Sequence, residues 1–213
     1  MVATRRPKPP RNNELRRLGI FGGTFDPIHY GHLVCARELA EALLLDLVMF
    51  IPASRSPHKP RYRPAPARDR IRMVEIATRG YRGFVVSDME TRRPSISYTA
   101  DTVCRLRKRL GPSVELWLLV GMDAYLDIPA WKDPATIVRE CSLGVACRPG
   151  YHRGALGLTP RGRTRFVKTT LVDISSTQIR KQVRDGRSID FLLPREVEAY
   201  IRRHGLYGSG GRA

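Results

Sequence analysis

The sequence predicts an α/β protein built on a doubly wound parallel sheet with helices on both faces. Three observations carry that prediction. Short apolar runs of strand length alternate with segments whose apolar residues recur at helical spacing. The clearest run, residues 114–120, is almost continuously apolar, as a parallel strand covered on both faces should be. The first run, residues 18–21, passes straight into Gly22-Gly23 and then a helix-like segment, the opening of a βαβ unit.

The elements come in order along the chain. After the first strand, Leu33, Ala36, Ala40, Leu43 and Leu44 place a helix, and residues 47–51 form the second strand. A loop rich in Pro and Arg spans residues 52–66. Ile71, Val74 and Ala77 then mark a helix, residues 84–86 a third strand, and Val103, Leu106 and Leu110 another helix. Residues 114–120, 143–146 and 166–172 complete the sheet. Ser175-Ser176-Thr177-Gln178 starts a helix with a capping box. Pro194, Val197, Tyr200, Ile201 and Gly205 outline a last helix, with proline at N1 and glycine at C′. The predicted domain thus runs from 18 to 207. Residues 1–17, basic and almost without apolar side chains, are expected to be a disordered arm, and residues 208–213 a flexible tail.

Composition narrows the function. With 213 residues, 42% of them apolar, the chain can build one substantial core. The longest apolar stretch, residues 42–52, is interrupted by Asp46 and too short to cross a bilayer, and no secretory h-region comes after the basic start. Cys35, Cys104, Cys141 and Cys147 form no CxxC pair, which suits a reducing cytoplasm. The net charge of +18 asks for a phosphate-bearing partner. The arginines are spread along the whole chain, few aromatics interleave with them, and no RNP1 string, zinc-finger spacing or long basic helix is present. Small phosphorylated anions are therefore the favoured partners, ahead of nucleic acid.

The strongest motif is Gly22-Gly23-Thr24-Phe25-Asp26-Pro27-Ile28-His29-Tyr30-Gly31-His32. Glycines at a strand-to-helix turn let backbone N–H groups approach a phosphate, and the helix N-terminus favours negative charge. His29 and His32 flank a glycine there and could donate hydrogen bonds to phosphate oxygens as charge builds up. Two blander roles compete: the histidines could satisfy backbone carbonyls, or bind a metal together with Cys35. A second glycine-rich stretch, residues 157–164, has Arg where a P-loop needs Lys, and it leads into a strand where a helix should begin. It is expected to be a basic surface loop.

HxGH behind GGTFDP is the signature of the nucleotidyltransferase superfamily. With Ser56-Pro57-His58-Lys59, Ser97-Tyr98-Thr99, Gly121-Met122-Asp123, Trp131, Arg148-Pro149-Gly150-Tyr151, Ile174-Ser175-Ser176-Thr177-Gln178-Ile179-Arg180 and the His204-Gly205-Leu206-Tyr207 ending, the chain resembles the bacterial nicotinate-nucleotide adenylyltransferases from about residue 18 to 207. The resemblance implies a Rossmann-like fold and transfer of the adenylyl group of ATP to nicotinate mononucleotide. It also implies roles. His29 and His32 would hold ATP phosphates as the catalytic pair, with Gly22, Gly23, Thr24 and Phe25 lining the turn. Ser175, Ser176 and Arg180 would grip the polyphosphate, and Gly121 and Asp123 the nucleoside. His58 and Lys59 would bind the phosphate of nicotinate mononucleotide, Ser97, Tyr98 and Thr99 its carboxylate, and Trp131 its pyridine ring, with Arg148 nearby. Lys132, next to Trp131, departs from the aromatic that relatives often carry.

The attacking phosphate monoester is mostly dianionic at neutral pH, its second pKa being about 6, so no general base is required. Mg²⁺ is expected to arrive with ATP, held mainly by phosphate oxygens, and no protein metal ligands are assigned. Two alternatives stay open: an adenylyltransferase for nicotinamide mononucleotide or another phosphorylated acceptor, and a basic nucleic-acid-binding protein on the same fold.

Overall fold

The computed structural model describes residues 15–55, 62–92, 96–147 and 163–208. Its central strand is the first. β1 (Arg17–Gly23) pairs in parallel with β2 (Leu47–Pro52) on one side and with β4 (Glu115–Gly121) on the other. β3 (Phe84–Val86) flanks β2, while β5 (Ser142–Cys147) and then β6 (Thr164–Lys168) extend the opposite wing. The order β3-β2-β1-β4-β5-β6, parallel throughout among the described residues, is the doubly wound sheet that the sequence predicts. The winding reverses between β1 and β4, and at such a point the crossovers leave in opposite directions and open a crevice at the carboxyl ends of the strands.

Strand alternation assigns each side chain to a face. Leu18 and Ile20 of β1, with Leu116, Leu118 and Val120 of β4, join a core with α3 (Thr99–Leu110), α4 (Met122–Asp127) and α5 (Pro134–Glu140). Phe21, Trp117, Leu119, Val48 and Phe50 face the other way, onto α1 (Tyr30–Ala42), α2 (Ala67–Thr78), α6 (Ser176–Arg184) and α7 (Arg195–Arg203). Full burial of each large aliphatic side chain contributes roughly 1.5–3 kcal/mol, so both faces are strongly held.

Several boundaries differ from expectation for local reasons. Leu39 takes the third buried place on α1, whereas Leu44, past the helix end at φ +52, is 73% exposed. β6 stops at Lys168, four residues before the predicted end. Pro194 caps α7 rather than occupying its first turn, while Gly205 does take the left-handed conformation expected of it, at φ +59. Ser175 caps α6, accepting from the Gln178 backbone N–H at 3.1 Å. α4, a 3₁₀ turn at Ile128–Ala130, and α5 are too short to announce themselves by periodicity. The fold also reaches into the expected arm: the N–H groups of Arg16 and Arg17 both donate to Asp46 Oδ2, at 2.8 and 2.7 Å. None of the four cysteines takes part in a disulfide.

Candidate functional site

The motif residues converge where β1 ends. A cavity of about 510 Å³ there is lined by Thr24, Phe25, His29, His32, Tyr62, Ser175, Ser176, Thr177 and Arg180, with Asp26 at its base. Phe25 adopts a left-handed backbone, φ +48, rare for a bulky residue and characteristic of strained functional turns. That bend sends its ring inward, 2% exposed, where it stands edge-on to the His32 ring at 5.1 Å.

The two imidazoles lie ring to ring, centroids 3.7 Å apart. His32 Nδ1 accepts the backbone N–H of His29 at 3.3 Å, so its own proton sits on Nε2. His29 is 6% exposed, and burial holds its pKa down at about 4. His32 is held well below its ordinary value by burial and then by its neighbour. Both rings are thus neutral at pH 7, each with one N–H to offer. The glycine between them has a steric reason: a Cβ on Gly31 would lie 3.0 Å from His29 Nδ1 and 3.1 Å from Cε1.

Across the cavity, α6 is fastened to the same turn. Ser176 Oγ donates to the Pro27 carbonyl at 2.8 Å and Arg180 Nη1 to the Asp26 carbonyl at 2.7 Å. Arg180 also lies over the Tyr62 ring, 4.8 Å from its centroid. Ser176 and Arg180 therefore share one helix face, as their spacing predicts. The metal alternative finds no support. Among the described residues no three His, Cys, Asp or Glu side chains are grouped to hold an ion. Burial, and then Glu38, push the Cys35 thiol up to about 11. The Asp26 carboxylate is already engaged by the hydroxyls of Tyr62 and Tyr207 and by the Ala65 N–H.

A second cavity, also about 510 Å³, opens beside the first and shares Thr24 with it. Besides Thr24, its lining includes Gly22, Gly23, Ser97, Tyr98, Thr99, Trp131 and Lys132, so seven expected site residues meet here with the unusual lysine. Tyr98 caps α3, and the first N–H groups of that helix, beginning at Thr99, lack intrahelical acceptors. Ser97 Oγ accepts the Ser54 N–H at 3.0 Å. Lys132 Nζ stands 4.3 Å above the Tyr98 ring and 3.3 Å from Asp101 Oδ2. Glu90 is among the lining residues that sequence reasoning missed. It accepts the Thr102 hydroxyl at 2.5 Å, and burial raises its pKa against the opposing effects of Thr102, Ser97 and Arg105. A single glutamate between two loops carries no sequence signal that could have singled it out.

Other expected residues stand apart. Gly121 and Asp123 are exposed at the carboxyl end of β4, outside both cavities, Asp123 in the first turn of α4. His58, Lys59 and Arg148 lie outside the described residues, as does most of the glycine-rich stretch 157–164. A larger opening, about 1460 Å³, lies at the amino ends of β1, β4, β5 and β6, opposite the two cavities. It holds none of the expected site residues, and part of its charge is paired: Arg17 with Glu115 at 2.8 Å, Arg107 with Glu140 at 3.3 Å. No helix among the described residues is long and apolar enough to cross a membrane.

Comparison with known proteins agrees with this geometry. The cytidylyltransferase-like family model matches residues 20–182. A probable nicotinate-nucleotide adenylyltransferase of Moorella thermoacetica is 43% identical over 198 residues, covering 90% of this chain and 91% of the relative. One from Thermus thermophilus is 43% identical over 193 residues, covering 90% of this chain and 99% of the relative. Among solved structures, the Plasmodium falciparum nicotinic acid mononucleotide adenylyltransferase complexed with NaAD superposes with a TM-score of 0.75. It is 20% identical and covers 90% of this chain and 97% of its own, a likeness of fold.

Proposed function

The chain belongs to the cytidylyltransferase-like nucleotidyltransferases and, within them, to the nicotinate-nucleotide adenylyltransferases, and on that footing we propose that it transfers the adenylyl group of ATP to nicotinate mononucleotide, releasing pyrophosphate. The observation that carries this reading is the pair of cavities meeting at Thr24, the histidine pair and Arg180 lining one, Ser97 to Thr99 and Trp131 the other. Each has room for part of a dinucleotide, and the reacting phosphates would meet at the shared turn.

The chemistry asks little covalent work of the protein. The acceptor phosphate attacks as a dianion, so the two neutral imidazoles need not take its proton. Their N–H groups donate to the α-phosphate oxygens as charge develops, His32 through Nε2. Arg180 has five N–H donors and bonds Asp26 and Thr177 with some of them, leaving capacity for the β- and γ-phosphates beside Ser175 and Ser176. Gly121 and Asp123, just beyond the cavities, suit the adenosine end. His58 and Lys59 are assigned the acceptor's phosphate and Arg148 its vicinity. Mg²⁺ enters as part of the MgATP substrate, since the site offers it no carboxylate cage among the described residues. A reducing cytoplasm fits four free thiols.

In the acceptor cavity the amino end of α3 and Lys132 favour a carboxylate, whereas Glu90 opposes one. Trp131 provides a flat apolar face for the ring. The test is pyrophosphate release from MgATP with and without candidate acceptors. Release that depends on nicotinate mononucleotide is expected. No release with any mononucleotide, together with duplex DNA binding that survives physiological salt, would favour the nucleic-acid reading.

A further inference from the structure

Arg70 is a buried cation that neither cavity touches. It sits in α2 at 1% exposure and is absent from both linings. Its guanidinium reaches three carbonyls, one in the β1–α1 turn and two at opposite ends of the β2–α2 connection: Nη1 donates to Thr24 at 2.7 Å, Nη2 to Ser54 at 3.3 Å and Nε to Ala65 at 2.9 Å. Each of those residues is tied onward to a cavity. Thr24 lines both. Ser54 donates its N–H to Ser97 Oγ in the acceptor cavity. Ala65 donates its N–H to Asp26 Oδ1 at 3.2 Å, Tyr207 donates to the same oxygen at 2.6 Å, and the Asp26 carbonyl accepts Arg180 in the phosphate cavity. One bonded network therefore runs from Ser97 to Arg180, with Arg70 at its node.

We propose that Arg70 is a positioning residue for adenylyl transfer: its planar fork fixes the spacing between the acceptor cavity and the phosphate cavity. The inference rests on the functional reading above. In-line attack requires acceptor oxygen, α-phosphorus and leaving oxygen to align, and a misplacement of about 1 Å can cost a hundredfold in rate. Three rigid donors in one plane can hold the β1–α1 turn and both ends of the β2–α2 connection at fixed separations, which the single flexible ammonium of lysine cannot do. A guanidinium is also an expensive filler for the space between a helix and a sheet. Burial disfavours its charge, and the neighbouring Asp26 carboxylate offsets part of that penalty. An apolar side chain would pack that space without such support, so the retained cation points to the loops it bonds.

Steady-state kinetics on the full chain test this. Arg70→Lys should lower kcat about tenfold or more, with both KM values within about threefold, because each cavity stays intact while their spacing loosens. Tyr207→Phe, which removes one donor from Asp26 without opening a large void, should lower kcat about threefold in the same pattern. Circular dichroism and nucleotide-binding stoichiometry count the folded molecules. Should Arg70→Lys not fold, Tyr62→Phe combined with Tyr207→Phe decides, with a loss of about tenfold expected in kcat. The inference is overturned if kcat per folded molecule stays within about twofold of wild type while only thermal stability falls, or if the whole loss lies in one KM. A wild-type chain without turnover overturns the functional reading as well. An active wild type with unaffected variants overturns this inference alone.

Discussion

Replacing Gly31 by alanine should make the protein slower without making it less stable. The added Cβ would sit 3.0 Å from His29 Nδ1, where ordinary contact begins near 3.4 Å, so the ring must give by about 0.4 Å. Any such shift also changes its position relative to the His32 ring, whose centroid is 3.7 Å distant. If about 1 Å of misplacement costs a hundredfold, 0.4 Å should cost on the order of tenfold in kcat. Stability has the opposite tendency. Alanine in place of glycine within a helix gains up to about 1 kcal/mol, which offsets the local crowding. Turnover and thermal melting of the same preparation check both halves. Unchanged kcat would show that the ring position does not matter, and a melting point lowered by several degrees would show that the crowding is absorbed by the fold instead.

Other consequences concern the histidines and the start of the chain. His29→Ala or His32→Ala should keep the circular dichroism spectrum and lose roughly 10²–10³ in turnover, as when one oxyanion donor is removed. Because burial holds His29 at about 4 while the unfolded chain protonates near 6.5, its share of stability is complete above pH 6.5 and lost as pH falls, about 2 kcal/mol of it by pH 5. The gap between melting curves at pH 7.5 and 5 should therefore narrow in His29→Ala, with the share of the buried His32 remaining, and an undiminished acid loss there would assign the effect elsewhere. Removing residues 1–17 takes both N–H donors from Asp46 and the first residue of β1, and should lower the melting temperature by roughly 3–10 °C. An unchanged value would mean that the strand begins later than Arg17.

The sheet was legible because its signals are local and strong. Apolar runs at 47–51 and, broken only by Glu115, at 114–120 have no competing helical period, and the glycine pair that ends the first strand marks the turn toward α1. The phosphate cavity was legible for the same reason, since Thr24 to His32 is one continuous segment and Ser176 and Arg180 share a helix face. The hidden part depends on contacts between distant segments. Arg70 looks like any charged residue on an amphipathic helix, and only the folded chain brings Thr24, Ser54 and Ala65 to it. Glu90 owes its place to Thr102, and Tyr207 its role to Asp26, 181 residues away in sequence. Short elements such as α4 and α5 escape because fewer than two helical turns give no period to detect.

The acceptor cavity decides the central question, because the acid and amide mononucleotides differ by a single group on the same ring. A helix amino end and Lys132 favour the carboxylate, while Glu90, if ionised, opposes it and would welcome an amide NH₂. Comparing kcat/KM for nicotinate and nicotinamide mononucleotide, with MgATP saturating and the dinucleotide product weighed by mass spectrometry, measures the balance. The nicotinate form should win by roughly 10²–10⁴, the range open to a site whose buried donors match one polar group and are left facing the wrong partner by the other. Equal values would show that the cavity does not select the carboxylate, and a preference for the amide would contradict nicotinate mononucleotide as the chain's own acceptor.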